Sequence, residues 1–79
     1  MDDKLREALA AGRDLYRQKE FLRAEPYLAQ VAQANVPYAD VYNMLGVIYH
    51  DMGQFSRAQQ CFEEAIKINP AYTEASLNL

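Results

Sequence analysis

The 79-residue sequence predicts an all-α chain, and three observations carry that prediction. Three Gly and three Pro leave few places for turns. Between those punctuation marks the apolar residues recur at helical spacing, and no stretch keeps the period-two alternation of a strand. Finally, the chain matches itself when displaced by 34 residues, which makes a repeat of helical pairs the simplest reading.

The first helix is expected over residues 3–18, where Leu5, Leu9, Gly12, Leu15 and Tyr16 lie along one side. The second is expected over 21–35, with Ala24, Leu28, Val31 and Ala32 aligned, and it ends before Asn35-Val-Pro37. A residue preceding proline is pushed out of the α region, so X-Pro reads as a terminator. Pro26 falls inside this helix; it is tolerated within the first turn and removes a hydrogen bond if it lies deeper. The third helix is expected over 39–52, with Tyr42, Leu45, Ile48 and Tyr49 on one side and Gly53 as its left-handed terminator. The fourth is expected over 55–69, carrying Ala58, Phe62, Ala65 and Ile66 and stopping at Asn69-Pro70. A fifth begins near residue 73.

The 34-residue displacement pairs Gly12 with Gly46, Phe21 with Phe55, Arg23 with Arg57, Ala24 with Ala58, Asn35 with Asn69 and Tyr38 with Tyr72. No insertion interrupts the register. The unit Ala39–Tyr72 carries Tyr42, Leu45-Gly46, Tyr49, Gly53, Phe55, Ala58, Phe62, Ala65 and Pro70. This strongly resembles the tetratricopeptide repeat, with Tyr42 standing where tryptophan is commonest. The unit Leu5–Tyr38 is more degenerate. It keeps Gly12, Leu15, Phe21, Ala24 and Leu28, but has Ala8 at the aromatic position, Lys19 in place of the inter-helix glycine, and Pro37 one residue late. The expected organisation is one domain over 1–79, with repeats at 5–38 and 39–72, a third begun at 73–79, and the whole cut from a longer array.

Small residues at 12 and 24, and at 46 and 58, are expected to face each other across each hairpin, with large residues beside them. One hairpin leaves an apolar side open, so neighbouring hairpins stack. The resemblance implies a solenoid coiled as a right-handed superhelix, whose first helices line a concave groove for a peptide or partner helix. In that register the groove residues are Arg6, Leu9, Arg13, Tyr16 and Arg17 from the first repeat. Asn43, Met44, Val47 and His50 follow from the second, flanked by Asp40 and Asp51, and the third adds Glu74, Leu77 and Asn78. Arg6, Arg13 and Arg17 share one helical face, and the planar guanidinium suits carboxylate recognition. Co-chaperones of this family clamp a C-terminal carboxylate with Lys and Asn. Here Leu9, Arg13, Met44, Glu74 and Asn78 occupy those places, which argues against that role.

Composition narrows the function classes. A net charge of -3 and a pI near 4.9 oppose sequence-independent nucleic-acid binding. A chain this short buries only about 60–65% of its unfolded surface, which leaves little room for an enclosed active site. His50 and Cys61 are the only residues of their kinds, sit on successive helices, and make no metal-binding or redox motif. No enzyme activity, metal or cofactor is therefore expected. One unpaired cysteine fits a reducing compartment, and the charged N-terminus lacks a signal peptide's apolar core, so a cytoplasmic location is expected. The favoured function is a non-catalytic protein-interaction scaffold. The alternatives are a self-association module, giving a homo-oligomer through exposed end helices, and a regulatory or targeting segment of a larger protein.

Overall fold

A computed structural model describes residues 2–71. Within them lie four helices: α1 (Asp3–Arg17), α2 (Phe21–Gln33), α3 (Ala39–Asp51) and α4 (Phe55–Ile68). Each expected helix is present, its end short by one or two residues where the backbone has already left the helix. The fifth helix, and Glu74, Leu77 and Asn78 with it, fall outside the described residues. The chain divides into two compact units, Met1–Val36 and Pro37–Leu79. Each is a helical hairpin: α1 packs on α2, and α3 on α4.

Local chemistry sets the helix ends. The carboxylate of Asp2 accepts from the Leu5 amide at 2.8 Å, satisfying one of the donors left open at the start of α1. At the end of α1 the amide of Lys19 donates to Tyr16 O at 2.9 Å and that of Glu20 to Leu15 O at 2.9 Å. The second hairpin repeats this closure residue for residue. Gly53 donates to His50 O at 3.0 Å and Gln54 to Tyr49 O at 2.8 Å. Such a closure needs a left-handed residue. Gly53 supplies it at φ 79°, but Lys19 must also adopt φ 62°. For a residue with a Cβ that conformation costs about 1–2 kcal/mol.

Asn35 and Asn69 are repeat partners with different backbones. Asn35 is left-handed at φ 57°, whereas Asn69 is extended at φ -137°. The cause is proline placement. Asn69 directly precedes Pro70 and is driven out of the helical region, while Val36 stands between Asn35 and Pro37. The Asn69 side chain then accepts from the Ala71 amide at 3.1 Å.

Ala8, Gly12 and Leu15 of α1 are buried with Ala24, Leu28 and Val31 of α2. In the other unit Leu45, Ile48 and Tyr49 are buried with Ala58, Phe62 and Ala65, and Tyr42, Ile66 and Ile68 pack against Ala39 and Ala65. The structure adds what fills the space beside each glycine. A Cβ on Gly12 would come within 2.6 Å of Leu28 Cδ2, and one on Gly46 within 2.6 Å of Phe62 Cδ1. Each glycine makes a socket for the largest buried side chain of the facing helix. Ala24 and Ala58 are buried in their own right.

Pro26 is the sixth residue of α2, past the first turn. It has no N–H to donate, so the Leu22 carbonyl lacks the helical partner it would otherwise have.

Candidate functional site

The residues expected to face a partner divide sharply between the two first helices. On α1, Arg6 and Arg17 are exposed, and Leu9, Arg13 and Tyr16 are half-buried. Spacings of three and four place them on one face, and the stretch from Arg6 to Arg17 rises about 16 Å. Among the described residues neither Arg6 nor Arg17 takes part in an ion pair. This face is cationic, with an apolar strip between the charges.

On α3 the expectation holds less well. Asn43 is only 1% exposed and Met44 is also buried, so neither offers a free surface. Asn43 sits among apolar residues of a helix that is buried over most of its length, where a polar side chain must be satisfied inside the protein. Val47 is half-buried, Asp40 likewise, and His50 and Asp51 are exposed.

Tyr16, expected to face a partner, also has a contact within its own hairpin. Its ring meets Phe21 with centroids 5.4 Å apart. The same positions one repeat later are His50 and Phe55, whose rings meet edge-on at 5.0 Å. In both hairpins a ring in the last turn of the first helix therefore packs on the first residue of the second. The signal was present as a ring five residues before each phenylalanine in the common register. Such contacts are worth about 0.5–1.5 kcal/mol beyond area burial.

His50 packs against Phe55, and Cys61 is half-buried on α4. Burial pushes the Cys61 thiol up to about 11, partly opposed by the Arg57 charge and reinforced by Glu64. A thiol held so far above neutrality is a poor nucleophile. No three His, Cys, Asp or Glu among the described residues are grouped so as to hold a metal. No helix among them is long and apolar enough to cross a membrane.

Two antiparallel hairpins with matching corners and sockets, repeated at an interval of 34 residues, are the geometry of one repeat family. The tetratricopeptide repeat pattern matches the chain over residues 9–51 and again over residues 39–72. The chain belongs to the tetratricopeptide repeat family. Repeats of this family generally mediate protein–protein interaction, and the family is typically a non-catalytic scaffold. The chain is also similar to the uncharacterized protein ycf37 of Pyropia yezoensis, 49% identical over 45 residues. That match spans 57% of this tetratricopeptide chain but only 25% of the relative. No solved structure matches it.

Proposed function

We propose that this tetratricopeptide protein binds a partner polypeptide bearing acidic and apolar side chains through the first helix of its hairpins. The observation that carries the reading is the α1 face. Arg6 and Arg17 stand exposed, Arg13 lies between them half-buried, and Leu9 and Tyr16 supply the apolar strip. In the other unit, Val47 of α3 is half-buried and His50 exposed, so both keep accessible side chains. Asn43 and Met44 have no direct part in it, being buried.

Exposed charge pairs contribute only about 0.2–1 kcal/mol each, so the arginines orient and select the partner, while apolar burial supplies most of the affinity. Binding should be weak, on the order of micromolar or worse, and weaker as salt rises. The test uses synthetic peptides carrying Glu and Leu at helical spacing, with Lys-for-Glu peptides as controls, and reads anisotropy across a salt series. The acidic peptides should bind and the basic ones should not. Arg6→Glu with Arg17→Glu should weaken binding about tenfold or more with helicity and melting unchanged, because both side chains are exposed. Equal binding by that double variant would show that α1 is not the site.

A further inference from the structure

The outer surface of α2 has a composition unlike any other exposed helix face described in this protein. Its exposed residues are Leu22, Arg23, Pro26, Tyr27, Gln30 and Gln33. Leu22 is 75% exposed and Tyr27 42%, both high for side chains of this size. The only charge among them, Arg23, is paired with Glu20 at 3.7 Å. The corresponding positions of α4 expose Ser56, Arg57, Gln60 and Lys67, with Cys61 and Glu64 half-buried.

We infer that this face of α2 is a contact between two copies of the chain, packed antiparallel about a two-fold axis at Pro26. Two observations select a second copy over an unrelated partner. A two-fold contact sets a patch against itself, so like charges in the patch would repel across it. The one charge on the α2 face, Arg23, is paired with Glu20 of its own chain. The second observation is hydrogen bonding. Pro26 deprives the Leu22 carbonyl of its helical donor, and the same face carries Gln30, a side-chain amide with two donors. In an antiparallel pair centred on Pro26, Leu22 of one copy lies opposite Gln30 of the other, twice over. Pro26 meets Pro26, and Arg23 lies opposite Ala29, so no like charges are opposed. The carbonyl without a helical donor and the side-chain amide thus sit in self-complementary register on one stripe.

A stripe on one short helix falls well below the ~800 Å² per partner of a standard stable interface, so the dimer is weak and concentration-dependent. It does not involve the α1 arginines and stands apart from the binding proposed for them.

Sedimentation equilibrium of the 79-residue chain, from about 10 μM to about 1 mM, tests the inference. The weight-average mass should climb toward that of a dimer. Leu22→Glu should raise the dissociation constant about tenfold or more without changing the circular dichroism or the melting temperature, since the side chain is exposed. Adding Gln30→Lys to Leu22→Glu should restore association, because the new charges meet only in the antiparallel register. Arg6→Glu with Arg17→Glu should leave the dimer intact, which separates this inference from the α1 reading. A chain that stays monomeric throughout would overturn the inference and leave the face to another protein. Undiminished association of Leu22→Glu, or failure of the charge pair to restore it, would overturn it as well.

Discussion

The two hairpins share one plan but hold it differently, and the contrast shows which parts of a repeat are free to drift. At one corner Arg57 lies over the Tyr49 ring at 4.6 Å and donates to Gln54 at 3.2 Å. Thirty-four residues earlier the same arginine, Arg23, finds Leu15 in place of the tyrosine and Glu20 in place of the glutamine. It forms an exposed ion pair with Glu20 instead. The arginine is common to both, but its partner follows whatever the neighbouring positions offer. The corner itself tolerates less. Both hairpins close with the same pair of backbone hydrogen bonds, and the first does so with a lysine in a conformation made for glycine. The lesson is that backbone geometry is kept even at a cost, while the side chains around it are exchanged.

The helices differ as well. The sequence of α1 carries seven charged residues and three of its positions are buried, whereas α3 carries only Asp40 and Asp51 and is buried at eight. A helix with charge spread along it must keep a solvated face. A helix with charge only at its ends has no such requirement. That is why α1 keeps a longer exposed face than α3.

The largest effect expected from breaking the comparison lies in the sockets. Gly46→Ala would drive a methyl group into the Phe62 ring, which cannot bend away, and should cost about 1–3 kcal/mol. Gly12→Ala meets Leu28 at Cδ2 and Cγ, a smaller and more adaptable group than the ring, and alanine's helix preference returns about 1 kcal/mol at both sites. Chemical denaturation should therefore show Gly46→Ala clearly less stable than Gly12→Ala. Equal losses would mean the two sockets are equally rigid.

The corners come next. Lys19→Gly should stabilise by about 1 kcal/mol, since the left-handed strain relieved exceeds the entropy added to the unfolded chain. Gly53→Lys should destabilise by a similar amount. Opposite signs in thermal melts are the expected result, and two losses would show that Lys19 has a compensating contact.

The smallest effect concerns the arginines. Arg57→Ala should cost about 0.5–1 kcal/mol through the lost ring contact. Arg23→Ala should cost less than about 0.5 kcal/mol, because its ion pair is exposed on both sides. A double-mutant cycle of Arg57→Ala with Tyr49→Leu isolates the ring term, and a coupling near zero would remove it from the account.

Much of this was readable in the residues alone. Apolar spacing placed all four helices, Asn35, Gly53 and the prolines placed their ends, and the 34-residue register identified both hairpins and the strain at Lys19. These are local properties, decided by a residue and its near neighbours in the chain. The α1 face was equally legible, since helical geometry alone aligns Arg6, Arg13 and Arg17.

What the chain's order did not disclose was which side chain meets which. The pattern put Gly46 on the inner side of α3 but did not show that the Phe62 ring fills the space beside it, because rotation and axial offset of packed helices set that contact. It put Asn43 in register with partner-facing positions, although burial of α3 takes it out of solvent. It assigned Tyr16 and His50 to partner-facing positions but did not show that the turn brings Phe21 and Phe55 back against them. Helical periodicity gives each residue a direction. Only the packed tertiary structure supplies the neighbour at the end of it, because that neighbour depends on two helices at once.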